Sequence, residues 1–556
     1  MSPVEPVSKA TESKHESVVR SAGVVSAAIF LSRITGLVRE IAMARLFGAG
    51  QVYDAFLLGF RIPNLTRDLF AEGALSSAFV PIFTKYLTTK GKREAAELSN
   101  LVATALIVVV GLMCVLGMIF SPQLVNLLAP GFADVPGKFP LSVKLTRMMF
   151  PFLLLVALAA QAMGILNSCN QFGVPALSST FFNIGSLGFG LALGFLVGPR
   201  MGFSPIEGMA YGVVIGGAWQ LFWQVPSLIR AGFAFRPRFN LAHPGLRNIM
   251  ELMGPAIVGN ASVQVNVMVN TNFASSITDA AGHVINGPVS WLGYAFRFMQ
   301  LPLGLFGVAI ASATLPSISR SAAVGDMKEF RSTLAKSVGM IFFLTIPSSV
   351  GLAVLGDSMI AAVYQGGRFR AYDTHQTALA LAFYSIGLAG YGAIKVLAPA
   401  LYALNDARTP MLVSLASILI NAAAASTMVK LAGLGHAGLA LSTSLVALFS
   451  SVVLFEVIRR RIGGIQGRRL AESFFKISAA SALMGVACAL SSYFIGHWAG
   501  FSRLARVGDL AVSVPLGLLV FYGTAKLFHL PEIESANRAL IAPLARRLGL
   551  SMLRSE

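Results

Sequence analysis

Between Arg33 and Glu72 the chain places five arginines, Arg33, Arg39, Arg45, Arg61 and Arg67, among four acids, Glu40, Asp54, Asp68 and Glu72, within otherwise apolar sequence. An arginine at a bilayer centre costs on the order of 3 kcal/mol on insertion scales, so charges in apolar segments face a watery cavity or a partner. Guanidinium forks match phosphate oxygens through paired hydrogen bonds. The chemistry this cluster suits is recognition of an anionic, phosphate-bearing group, with Arg297 adding a cation from a distant segment. Arg33 and Arg39 are six residues apart, about 120° around a straight helix, and a bend at Gly36 is expected to bring them to one site. The opposing reading is a buried network in which the arginines only neutralise the acids. It weakens for the set, because across 20–84 and 287–319 the arginines outnumber the acids. Arg45 is read as snorkelling to an interface. Asp54 and Glu72 are candidates for gating or cavity roles, pairing with arginines in one state, or else for static salt bridges. Asp68 and Glu72 share a helical face and repel unless a cation lies between them. Arg61, Lys395, Arg147 and Glu251 are further charges in apolar segments, the last two near membrane surfaces.

The elements that hold these charges are membrane spans. With 556 residues, 55% hydrophobic and 12% charged, and a mean hydropathy of +0.72, the chain is not an ordinary soluble protein. Apolar runs of roughly 20 residues recur and no strand alternation competes, which predicts an all-α polytopic membrane protein. Fourteen spans are expected, near 20–47, 52–84, 97–127, 141–168, 175–198, 205–230, 247–278, 287–319, 333–363, 375–404, 410–431, 436–459, 472–497 and 506–528. Those longer than a bilayer imply tilt, kinks or extensions. Basic clusters at 85–93, 230–247, 320–336 and 459–469 each follow an even-numbered span, so both termini are expected in the cytoplasm. Arg368, Arg370, Arg503 and Arg506 run against that bias. The net charge of +19 is mostly these loops, and no segment is long enough for a nucleic-acid recognition fold. Residues 1–19 read as a cytoplasmic tail with no cleavable signal pattern. Cys114, Cys169 and Cys488 lie in separate spans and suggest no disulfide framework. No zinc-protease or nucleotide-binding motif appears, so no cofactor is expected, and an isolated Asp or Asn identifies no coupling ion.

The chain also matches itself. At a shift of 236, Arg61 meets Arg297, Leu65 meets Leu301, Phe70 meets Phe306 and Ser76 meets Ser312; at 235, Asn170 and Pro175 meet Asn405 and Pro410. An even number of spans separates the equivalents, so two six-helix lobes, 20–232 and 247–461, are expected to be related by an axis along the membrane normal. A linker at 233–246 joins them, and a helix pair at 470–528 and a cytoplasmic segment at 529–556 follow. Transporters place substrate at such repeat interfaces and rock one lobe against the other.

Seven stretches in order carry a resemblance over nearly the whole chain: SRITGLVRE at 32–40, FGAGQVYDAF at 47–56, RIPNLTRDLFAEGALSSAFVP at 61–81, APGFAD at 129–134, MGPAI at 253–257, LPLGLFGVAI at 301–310 and KVLAPALYALNDARTP at 395–410. By these the sequence resembles the MurJ (MviN) family of lipid II flippases, in the multidrug/oligosaccharidyl-lipid/polysaccharide exporter superfamily. The resemblance implies export of undecaprenyl-diphosphate-linked peptidoglycan precursor across the bacterial inner membrane, with the last two helices forming a groove for the lipid tail. It implies cavity arginines at Arg33, Arg39 and Arg297, a supporting role for Arg67, and gating or cavity acids at Asp54 and Glu72. Phe296 and Gln300 stand where many relatives are acidic, and 275–290 is longer than usual. A flippase for another polyprenyl-diphosphate saccharide or a drug exporter of the superfamily is the nearest alternative; surplus arginine opposes a cationic drug. A membrane enzyme lacks a recognisable nucleophile or metal set, and a scaffold would tolerate loss of the arginines. Lipid II and membrane lipids are the expected partners, not nucleic acid.

Overall fold

A computed structural model describes residues 7–67, 75–240, 242–500 and 502–536. Backbone polar groups in lipid must bond within their own segment, and among the described residues the only β pairing is two isolated bridges, one of them Thr278 with Val284 in the long 275–290 loop. Nine helical stretches among the described residues are long and apolar enough to cross a bilayer, ten if the pair Ala371–Ile386 and Leu388–Ala403, bent by 43°, counts as one. The expected sixth and seventh spans are helical over Pro205–Phe222 and Pro244–Ser275 but carry several glycines or an Asn/Gln row and fall outside that set; the described parts of the first and second are helical over Val7–Phe47, Gln51–Arg67 and Ser76–Thr89. The chain divides into two compact units, Met1–Val265 and Asn266–Glu556.

The first unit contains α1 (Val7–Phe47), α2 (Gln51–Arg67), α3 (Ser76–Thr89), α4 (Gly91–Ile119), α5 (Ser121–Leu128), α6 (Lys138–Met149), α7 (Pro151–Ser168), α8 (Gly173–Leu191), α9 (Gly198–Met201), α10 (Pro205–Phe222), α11 (Val225–Arg230) and the start of α12 (Pro244–Ser275). Lipid is as apolar as a side chain, so membrane helices associate through close packing of small residues. The contact between α8 and α10 shows this. A Cβ at Gly212 would lie 2.4 Å from the Ser186 carbonyl oxygen, and one at Gly208 2.2 Å from the backbone of Gly194. The expected fourth span runs through Lys138–Ser168 as one stretch, with a single turn at Phe150 where α6 gives way to α7 and Pro151, whose missing N–H is harmless at a helix start.

The second unit continues from α12 through α13 (Pro288–Pro302), α14 (Val308–Ala323), α15 (Met327–Val354), α16 (Gly356–Tyr364), α17 (Ala371–Ile386), α18 (Leu388–Ala403), α19 (Arg408–Ser426), α20 (Gly435–Arg461), α21 (Gly467–Ala499), α22 (Arg503–Leu527) and α23 (Glu532–Ala536). The polar row of α12 joins helices: Asn266 Nδ2 donates to Ser417 Oγ at 3.1 Å, Asn270 Nδ2 to Thr443 Oγ1 at 3.0 Å, and Asn421 Nδ2 to Asn270 Oδ1 at 2.9 Å. Asp509 of α22 is buried and accepts hydrogen bonds from Ser358, Ser492 and Ser513. Arg506 donates to Ser358 Oγ and Arg503 to the Ala362 carbonyl, which fixes α22 to α16. Two of the arginines that break the charge bias are thus spent on docking this helix.

The internal repeat is visible in local geometry within each unit. After α7, Asn170 takes φ 59°, and after α18, Asn405 takes φ 56°. In the first turn Gln171 N–H donates to Leu166 O, and in the second Asp406 N–H donates to Leu401 O, both at 2.9 Å. This is the left-handed helix stop that Asn tolerates. A π-helical turn follows in each unit, Ala192–Val197 after α8 and Thr427–Leu431 after α19, again 235 residues apart at their starts.

Candidate functional site

In the first unit α1 runs without interruption through Gly36. The glycine does not end the helix. The glycine instead lets α8 approach: a Cβ there would lie 3.3 Å from Asn183 Nδ2, which donates to the Ser32 carbonyl at 3.1 Å. Thr35 Oγ1 bonds back to the Leu31 and Ser32 carbonyls, a pattern that bends helices slightly without ending them. Arg33 is exposed, whereas Arg39 is half-buried with its guanidinium carbon 5.2 Å from the Phe182 ring centre, a cation–π contact. Glu40 is buried and Arg45 half-buried on the following turns.

Asp54 lies in the first turn of α2, where the helix dipole favours a carboxylate. An ion-pair partner that the sequence reading did not name is Lys138: its Nζ lies 2.9 Å from Asp54 Oδ2, with the side chains 1% and 0% exposed. The loop before α6 is built to deliver that lysine. Phe132 of the APGFAD stretch is fully buried and its ring centre lies 4.0 Å from Lys138 Nζ. Gly137 takes φ 79°, and Gln51 Nε2 holds the Pro136 carbonyl at 2.8 Å. Breaking such a pair from one side costs about 3–5 kcal/mol, because the other charge stays buried. Arg61 and Arg67 are half-buried on α2, which contains Pro63. Asp68 and Glu72 lie outside the described residues.

In the second unit Arg297 is exposed on α13, beside Gln300, also exposed. Phe296 packs edge-on against Tyr384 with ring centres 5.5 Å apart. Gly287 takes φ 117° at the start of α13, and a Cβ there would meet the Trp291 ring at 2.4 Å. That close approach seats Trp291, whose Nε1 donates to Asp373 Oδ1 at 3.0 Å, while Asp373 Oδ2 accepts from the Arg370 N–H. A π-helical turn, Leu303–Gly307, follows Pro302. Lys395 is exposed on α18, its Cγ within van der Waals reach of a Cβ built at Gly307. Lys138, Phe132, Asn183, Trp291 and Asp373 escaped the sequence reading. The usable signal for Lys138 was a lone lysine after a Pro-Gly turn, with Asp54 needing a partner.

The model of the family described as "Lipid II flippase MurJ" matches residues 43–508. A lipid II flippase MurJ from Burkholderia cenocepacia is 34% identical over 507 residues, covering 90% of this chain and 95% of that protein. A probable lipid II flippase MurJ from Vibrio cholerae is 34% identical over 449 residues, covering 79% and 82%. Among solved structures, "Lipid II flippase MurJ, inward closed conformation" aligns with a TM-score of 0.72 at 26% identity, over 91% of this chain and 98% of that one. An inward-facing MATE multidrug transporter of the MOP superfamily aligns with a TM-score of 0.63 at 14% identity, over 80% and 99%, a likeness of fold alone.

Proposed function

This chain belongs to the MurJ family of lipid II flippases, and from that premise we propose how its residues carry the lipid-linked peptidoglycan precursor from the inner to the outer leaflet of the cytoplasmic membrane. It is a multi-pass inner-membrane transporter, not an enzyme, and works by alternating access in the service of cell-wall synthesis. Arg33, Arg39 and Arg297 bind the diphosphate, with Arg67 assisting. Removing that anion from water is costly, and guanidinium forks offset the loss. The observation that carries this assignment is the exposure of Arg33 and Arg297 on helices whose other exposed side chains include Phe30, Ile34 and Leu37, or Leu301. A cation held among such apolar side chains calls for water, a protein partner or an anionic ligand, and the diphosphate supplies the last.

Asp54 with Lys138, and Arg61, Lys395 and Glu72, serve gating or cavity integrity. The chain crosses the membrane fourteen times with both termini cytoplasmic, as the basic loops favour. The pair α21 and α22, within 470–528, presents exposed apolar residues such as Phe475, Leu490, Leu518 and Leu519 and accommodates the polyprenyl tail. Complementation of a strain depleted of its lipid II flippase tests the reading: the chain should restore growth and cell shape, and R33A, R39A and R297A at equal abundance should not. Failure of the wild-type chain to complement while correctly inserted would overturn it.

A further inference from the structure

A cavity of about 460 Å³ opens between α5 and α6, lined by Pro122, Phe139, Pro140, Val143, Lys144 and Arg147. Its walls are apolar except for the two cations, which stand three residues apart on one face of α6 and are both exposed. Arg147 is fixed in place. Its Nε donates to the Met118 carbonyl at 3.1 Å and to Ser121 Oγ at 2.8 Å, and its two terminal nitrogens make no hydrogen bond or ion pair among the described residues. Lys144 Nζ meets Glu207 Oε1 at 2.9 Å, which uses one of its three donors. Two cations against one carboxylate leave the mouth of the cavity positive.

On α4, whose Met118 carbonyl holds Arg147, the residues Val108, Leu112, Val115 and Ile119 are exposed at helical spacing, and Leu127 of α5 is exposed too. Such a stripe at helical spacing suits a hydrocarbon chain, and basic pockets bordering spans suit anionic head groups. A free anion would need no stripe, and a zwitterionic head group would bring its ammonium against Lys144 and Arg147. We propose that this cavity binds the phosphate of an anionic glycerophospholipid whose acyl chain lies along α4. The leaflet, that facing away from the basic loops, rests on the orientation given under the proposed function; the site itself does not.

The test uses the purified full chain in lipid discs of phosphatidylcholine containing phosphatidylglycerol, with retained lipids counted by native mass spectrometry. The wild-type chain should retain phosphatidylglycerol in preference to phosphatidylcholine. K144Q, which leaves the Arg147 hydrogen bonds intact, should lower that preference about fivefold, the effect of one basic residue near an anionic surface. K144Q/R147Q should abolish it, and R147K should keep most of it. An unchanged preference in folded K144Q and in the double variant, or none in the wild type, would overturn the proposal. Displacement of phosphatidylglycerol by inorganic phosphate would reassign the cavity to a free anion, and displacement by purified lipid II to the transported lipid; either result also overturns it.

Discussion

The two repeats solve one structural problem with different chemistry. A shift of 236 carries Asp54 onto Ser290, beside Trp291, and a shift of 235 carries Lys138 onto Asp373. In the first unit the start of the second helix is tied to the start of α6 by a fully buried ion pair. In the second, the start of α13 is tied to α17 by an indole N–H donating to a carboxylate that also holds a backbone N–H. Removing one member of a buried ion pair leaves the other charge buried, whereas removing the indole leaves Asp373 its backbone donor. The first unit's tie thus joins two charges, and the second's a neutral donor and one charge.

The largest expected effect follows from splitting the ion pair. K138A or D54A should destabilise the protein by about 3–5 kcal/mol, read as a lower unfolding temperature in detergent. The apolar double variant D54L/K138M should recover most of that stability. If it also recovers export, Asp54 is a tie and not a gate. In the second unit W291F should cost about 1–3 kcal/mol, the loss of one buried donor together with some packing, and D373N should cost no more than D54A. Equal losses for K138A and W291F would erase the contrast between the repeats.

The smallest effect is at the paired helix stops. Asp406 occupies the place of Gln171 one repeat earlier. Its carboxyl is held below the usual range, first by the backbone N–H and hydroxyl of Thr409 and then by the Arg461 guanidinium. A depressed carboxyl stabilises the folded turn above its unfolded value and loses that contribution as pH falls through the folded one. Acidification below about pH 4 should therefore speed amide exchange at 404–412 and leave 169–177 unchanged. D406N should remove the difference.

The helical class was legible because apolar runs are a long-range pattern, and a shift of 235 ties Asn170 to Asn405, whose turns share a left-handed backbone. The partners of the charged residues were not legible in the sequence. Gly36 reads in sequence as a weak point, yet here it serves close packing, and only the presence of Asn183 on α8 decides between the two. Lys138 lies 84 residues from Asp54, and no local spacing announces such a pair. Asp509 sits in an unremarkable apolar run, and its serine donors come from three helices. A 43° bend at Gly387 divides a span that hydropathy reads as continuous, because hydropathy counts composition and not hydrogen bonds.

The central claim is that this chain exports lipid II by binding its diphosphate through Arg33, Arg39 and Arg297, and a leaflet-resolved assay of lipid II in flippase-depleted cells tests it most directly. With the wild-type chain, lipid II should become accessible at the outer leaflet, and with R33A, R39A or R297A at matched abundance it should accumulate on the inner side. Export at the wild-type rate by all three folded variants would contradict the account.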